Sequence, residues 1–275
     1  MLEYYSQLGE RGRLVDNPIG QLEYLRTREL LARRLPSRPA EVVDVGGATG
    51  VHAQWIAGLG HRVHVIDPES AQVTEAARLP GVTGCVGEAR ALPRADASAD
   101  VVLLLGPMYH LPSRADRLLA WSEALRVVRP GGVVAAAVIV RRASLLDYAA
   151  SGRLDEESLA RITVTLRTGV HDPTLGFTDA YFHTADELRS EVAQAGLDEA
   201  EVLPIEGPGI IAVRAIHRSG GVVSAELLDS AVRLARVAES DPDMLEVGSH
   251  LLAVGRRPPH LLGDGRRATS GSGGR

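Results

Sequence analysis

Lysine is missing from this 275-residue chain. All 30 basic residues are arginine, which excludes Schiff-base catalysis and a phosphate-loop lysine. Cysteine is nearly missing too: Cys85 stands alone, so an internal disulfide and a cysteine-based zinc cluster are both excluded. Its setting in the apolar stretch 82–86 reads as a buried structural thiol rather than a nucleophile. No run of about 18 apolar residues is present, and the opening segment MLEYYSQLGERGR lacks the apolar stretch of a secretory signal. The expectation is a soluble, cytoplasmic protein. A basic excess is lacking as well; the net charge of −5 argues against non-specific binding to nucleic acid or to a membrane surface.

What is present is an ordinary globular composition, 45% hydrophobic, long enough for one large domain or a core with an insertion. Residues 21–35 show helical spacing and are stopped by Pro36. Short apolar runs at 41–45, 62–66, 82–86, 100–105 and 133–140 then alternate with helical patterns at 52–59, 71–79 and 116–128. The run DVVLLL is continuous enough for a strand buried on both faces. This alternation predicts a doubly wound parallel sheet of the α/β class. From 141 to about 184 the rhythm breaks into helical pieces and loops. Beyond it the pattern gives a helix at 185–195 closed by Gly196, a strand at 201–205, a helix at 224–239 and a last strand at 250–255. The Gly/Ser/Arg-rich end, 259–275, reads as a disordered tail.

Aromatic residues are few and unevenly placed. Seven of ten lie outside the alternating core: Tyr4, Tyr5 and Tyr24 near the start, and Tyr148, Phe177, Tyr181 and Phe182 in the inserted stretch. Either these two regions fold together as a lid over the carboxyl ends of the strands, or the rings form only a small core of the lid itself.

The first strand delivers Asp44 and turns through Gly46, Gly47, Ala48, Thr49 and Gly50 into a helix (VVDVGGATG, 42–50). Glycines there permit close approach of a ligand, and the helix start presents free N–H groups. A dinucleotide fingerprint needs glycines at i, i+2 and i+5, but Ala48 occupies i+2, and GxxxxGK[ST] is absent. The turn therefore suits a ligand without a pyrophosphate. Asp67 follows Gly50 by 17 residues at the end of the second strand. A carboxylate there accepts hydrogen bonds from ribose hydroxyls; the plainer reading is a turn made by Asp67-Pro68.

These blocks, with GEARALPRADASADVVLLLGPMYHL and EALRVVRPGGVV following in order, strongly resemble the class I S-adenosylmethionine-dependent methyltransferases of the bacterial small-molecule type. The resemblance runs from about 41 to 140 and continues more loosely to SHLLAVGRR. It implies a Rossmann-like seven-stranded sheet, mostly parallel with one antiparallel strand, plus a helical lid. It implies S-adenosyl-L-methionine as cofactor, with Gly46, Gly47, Thr49 and Gly50 under its methionine portion and Asp44 near its amino group. Asp67 would hold the ribose, Pro68 would lie beside the adenine, and Leu105 and Gly106 would lie beside the sulfonium. Glu88 and Ala89 stand where the family usually has an Asp and a small residue, so Glu88 departs from the pattern. A subgroup closes its first helices over the cofactor, which would bring Tyr5 and either Arg13 or Arg26 to it; the alternative is that both arginines are solvated helix charges. The expected units are 1–36, an N-terminal helical segment over the cofactor; 37–140, the cofactor-binding core; 141–184, the lid; 185–258, the completion of the sheet; and the tail.

Methyl transfer from a sulfonium is an in-line displacement, so alignment, exclusion of water and removal of an acceptor proton are the protein's tasks. The segment 106–110 (GPMYH) resembles the Asn-Pro-Pro-Tyr signature for planar amines only superficially, because Gly106 replaces the asparagine. The absence of a carboxylate in 105–107 argues against a metal. Tyr109 lines the acceptor pocket or positions the substrate; His110 and His183 are competing candidates for a general base, each of which otherwise simply packs. His52, His61, His64, His171, His217, His250 and His260 show no ligand spacing and receive no role. The expected partner is a small-molecule acceptor with an O, N or C nucleophile, in a monomer or homodimer. The competing classes are an NAD-dependent oxidoreductase, disfavoured by the glycine spacing, and a binding module that keeps the cofactor site without catalysis.

Overall fold

A computed structural model of the chain describes residues 10–259. Residues 260–275 of the proposed tail and Tyr5 lie outside the described residues, as does the side chain of Arg13. Helices α1 (Glu10–Val15) and α2 (Pro18–Ala32) lead in. Asn17 caps α2 by accepting the Gly20 N–H, and Pro18 sits in the first turn, where its missing N–H costs nothing.

Strands β1 (Glu41–Val45), β2 (Arg62–Asp67), β3 (Val82–Val86), β4 (Ala99–Leu104) and β5 (Val128–Ile139) then alternate with α3 (Val51–Gly58), α4 (Ser70–Ala76) and α5 (Arg114–Val127). In the stretch that follows come α6 (Ala143–Ala150), α7 (Glu156–Thr168) and the two-residue strands β6 (Val170–His171) and β7 (Ala180–Tyr181). Helix α8 (Ala185–Ala195), β8 (Asp198–Pro204), α9 (Gly209–Arg218), α10 (Ala225–Ala238) and β9 (His250–Arg256) complete the order. The large sheet has seven strands in the order β3-β2-β1-β4-β5-β9-β8. All run parallel except β9, which is antiparallel to both neighbours. The expected seven-stranded Rossmann-like sheet is what forms.

Two apolar layers hold it. Along β4 the alternation sends Val102 and Leu104 toward Trp121 and Leu188, and Val101 and Leu103 toward Leu30 and Ile56. All six residues of β4 are buried, as a central strand covered on both faces requires.

Three local differences from the pattern have clear causes. Helix α9 escapes it because GPGIIAV is an apolar run behind turn residues, which periodicity cannot separate from a strand. The RPGG segment lies inside β5 rather than before it; the pairing to β4 skips from Ala99↔Val128 to Val101↔Val133, so Pro130 falls in an irregularity of the ladder. Cys85 is half-buried, its Sγ 3.3 Å from His64 Nε2.

Tyr24 and the aromatic residues of 141–184 sit in different surroundings. Tyr24 lies tilted against His52 with ring centres 5.4 Å apart. Phe182 stacks on His171 at 4.6 Å, and Phe177 joins Ile139, Ala143 and Phe182 in a separate small core. Helix α2 packs chiefly on α9 and α10 through Leu22, Ile210, Val213 and Ala231. Among the described residues, no helix is long and apolar enough to cross a membrane.

Candidate functional site

A cavity of about 400 Å³ opens at the carboxyl ends of the parallel strands, within the size range of small-molecule sites. This is where a doubly wound sheet receives ligands, at the crevice where strand order reverses beside β1. Residues 44–49 at the end of β1, 67–69 at the end of β2, 87–90 after β3, and 105–107 and 109–112 after β4 line it, with Ala137 of β5, Ile205 after β8 and His250 at the start of β9. Asp44, Gly46, Gly47, Thr49, Asp67, Pro68, Glu88, Ala89, Leu105, Gly106, Tyr109 and His110 all stand on this wall. Gly50 sits just behind it as the first residue of the helix turn, in the left-handed conformation that favours glycine (φ 82°).

Asp44 defines the floor. It is 1% exposed, and neither carboxylate oxygen has a hydrogen-bond partner among the described residues. Burial, reinforced by the nearby Asp67, pushes its carboxyl up to about 7. The turn passes directly over it: a Cβ at position 47 would sit 2.7 Å from Asp44 Oδ2, so only glycine fits. A buried carboxylate without donors is costly unless a ligand supplies them.

Asp67 differs. Its Oδ2 accepts the Ala48 N–H at 3.0 Å and its Oδ1 the Glu69 N–H at 2.9 Å. The carboxylate thus ties the glycine turn to β2, and each oxygen keeps further acceptor capacity for a hydroxyl. Both earlier readings of Asp67 are therefore compatible, since the turn bonds leave that capacity in place. Burial raises its carboxyl above the ordinary value despite those two bonds. Glu88 is half exposed and lies 2.5 Å from the guanidinium of Arg90, which lines the same cavity. The Thr49 hydroxyl is buried without a partner among the described residues.

On the acceptor side, His110 lies against Tyr109 with ring centres 4.6 Å apart and stacks near Phe177 at 5.9 Å. Burial lowers its imidazole to about 4.

Two expected site residues are elsewhere. His183 is fully buried and does not line the cavity. Its backbone extends beside the end of β5, donating to Ile139 O, and its ring faces Tyr181 and Glu191 instead. Burial holds its imidazole below the ordinary value. Arg26 is also fully buried and off the wall, neither a ligand to the cavity nor a solvated charge. It donates to Ile205 O and pairs with Glu29 and Glu239, which fixes α2 to the C-terminal part of the sheet.

The sequence pattern also missed three residues of this wall region. Glu23 of α2, Glu206 and His250 place one ligand-type atom each within 4.8 Å of one another, a mixed acid–imidazole group. They are 227 residues apart at the extremes, so no local spacing announces them.

Residues 43–136 match the family model described as a methyltransferase domain. The chain is 37% identical over 113 residues to a "probable S-adenosylmethionine-dependent methyltransferase" of Mycolicibacterium smegmatis, covering 40% of this chain and 43% of that protein. It is 29% identical over 170 residues to the methyltransferase GfsG of Streptomyces halstedii, covering 54% and 60%. The matches thus span about half the length of these relatives. Among solved structures, a SAM-dependent methyltransferase of Thermotoga maritima, described as a possible histamine N-methyltransferase, superposes with a TM-score of 0.56 at 19% identity, covering 93% of this chain and 97% of that one. Residues 43–136 thus match a methyltransferase domain, and the fold built around them is similar to that of a SAM-dependent methyltransferase.

Proposed function

We propose that this chain transfers a methyl group from S-adenosylmethionine to an oxygen, nitrogen or carbon nucleophile of a small molecule. The observation that carries the reading is Asp44: a buried carboxylate with two unsatisfied oxygens beneath a glycine turn asks for a cationic donor such as an α-ammonium group. The rest of the wall agrees with the same ligand. Asp67 retains acceptor capacity for ribose hydroxyls, Pro68 and Ala89 offer apolar surface for the adenine, and Gly46 and Gly106 let the two loops meet closely at the wall beside the sulfur. When bound, the cofactor supplies an electrophilic methyl group on a sulfonium. The residues of this chain hold it, orient the acceptor and exclude water. Behind the acceptor side, Phe177 and Phe182 belong to a small core on which Tyr109 packs.

Calorimetry with S-adenosylmethionine, S-adenosylhomocysteine and NAD tests the cofactor, and transfer of radiolabelled methyl to a panel of phenols, alcohols and amines tests the reaction. Binding of NAD alone would defeat the proposal. Cofactor binding with no transfer across the panel would favour a binding module instead.

A further inference from the structure

The cavity wall on the far side of the sheet from Asp67 carries a pair of residues built for proton transfer. Strand β9 is antiparallel, so its first residue, His250, lies at the ligand end of the sheet, opposite Ile139 of β5. The path from the end of β4 to His250 crosses β5, two inter-strand steps or about 10 Å. Gly106 and His250 therefore bracket the part of the cavity floored by Ala137, with the glycine turn and Asp67 on the opposite side.

Glu206 fixes the ring. It is 1% exposed, its Oε2 accepts the backbone N–H groups of Ser249 at 3.2 Å and His250 at 3.0 Å, and its Oε1 lies 2.5 Å from His250 Nδ1. A carboxylate already accepting two backbone N–H groups takes the third contact as an acceptor as well, so Nδ1 carries the proton of the neutral ring. The basic nitrogen is then Nε2, on a side chain 17% exposed at the cavity wall. Among the described residues, the charged groups near the pair include Glu23 from α2 and, behind Ser249, Arg214 of α9 with its partner Asp147 of α6.

Resting on the methyltransfer reading above, we infer that His250 is the base that takes the acceptor's proton, with Glu206 as the residue that positions it. The acceptor's O–H or N–H bond breaks with its electron pair left on the heteroatom that becomes methylated. The proton passes to Nε2, giving an imidazolium whose Nδ1–H remains on Glu206. The substrate class follows: an acceptor that must lose a proton, a hydroxyl or an ammonium group.

Glu206→Gln separates positioning from packing. The backbone N–H groups of Ser249 and His250 hold the amide oxygen, so the new NH₂ faces Nδ1 and forces the ring proton onto Nε2. Nitrogen-15 spectra of the cofactor-free protein read this directly. Wild type shows a bare Nε2 at His250, and Glu206→Gln shows a bare Nδ1. In methyl transfer, His250→Gln and Glu206→Gln lose about 100-fold on phenol but less than about fivefold on the more acidic 4-nitrophenol, with donor affinity within about twofold of wild type. A wild-type ring protonated at Nε2, equal losses on both phenols, or a rate in His250→Gln within about threefold of wild type would each overturn the inference. Loss of wild-type activity on chelation with restoration by a divalent cation would do so as well, assigning Glu23, Glu206 and His250 to a cation. Failure of wild type to bind S-adenosylmethionine would instead sink the proposed function and leave the tautomer result standing.

Discussion

Arg117 and Glu191 form an ion pair sealed inside the protein: Nε to Oε1 is 2.8 Å, and the side chains are 2% and 1% exposed. The guanidinium also donates to the carbonyls of Leu111 and Pro112, which line the cavity, and its centre lies 3.8 Å from the centroid of the Tyr181 ring. Burial alone would raise the Glu191 carboxyl, but His183 and Arg117 overrule it and hold it below its ordinary value. Removing one partner strands the other charge. Glu191→Ala is expected to cost about 3–5 kcal/mol in urea denaturation. The paired change Arg117→Met with Glu191→Leu recovers most of that loss.

Asp44 makes the cofactor-free protein sensitive to pH. In the unfolded chain its carboxyl ionises near the ordinary value, whereas in the folded chain it holds its proton up to about 7. Between those values the folded state binds more protons, so this contribution is complete at low pH and is lost as pH rises through about 7. Melting of Asp44→Asn across pH 4–8 should lack that decline, which is on the order of a few kcal/mol. Affinity for S-adenosylhomocysteine should move the opposite way in wild type, rising through pH 7, and should fall at least tenfold in Asp44→Asn.

Gly106 is a second contact that tolerates no side chain. A Cβ there would lie 2.8 Å from the Gly46 carbonyl oxygen, which belongs to the cofactor turn. Gly106→Ala must push the two loops apart. A stability loss of about 1–3 kcal/mol is expected, together with a loss of cofactor affinity larger than that of a distant variant of equal stability. Calorimetry alongside denaturation separates the two effects.

His110 should stay neutral through the physiological range, since burial lowers it to about 4. Proton NMR should place its midpoint near that value. His110→Phe, which keeps the ring contacts with Tyr109 and Phe177, should preserve the pH profile of turnover. His183→Ala should lower stability, because the ring is buried against Tyr181 and Glu191, while leaving donor affinity within about twofold of wild type.

The cavity wall at the ends of β1, β2 and β4 was legible in sequence because its parts are local: each strand carries its end residue within a few positions, so Asp44, Gly46, Gly47, Asp67 and Gly106 could be read in order. The wall at β9 was not. Glu23, Glu206 and His250 meet only because β9 inserts between β5 and β8, a long-range pairing that no periodicity encodes. His183 and Arg26 misled for a related reason, since both turn toward carboxylates away from the cavity, and only packing decides which way a side chain turns. Helix α9 was hidden by its own apolar run.

The placement of β9 also bears on how the chain is made. The strand that joins the edge strand β8 to β5 is supplied by residues 250–256, after every other described strand has been synthesised. Until those residues leave the ribosome, β5 and β8 each present an open edge, and Val134, Ala136 and Val138 have no partner on that side. The nascent protein must therefore wait for its last described strand before the sheet can close. Chains stopped short of 250 should be caught by chaperones or aggregate instead of accumulating as a folded core.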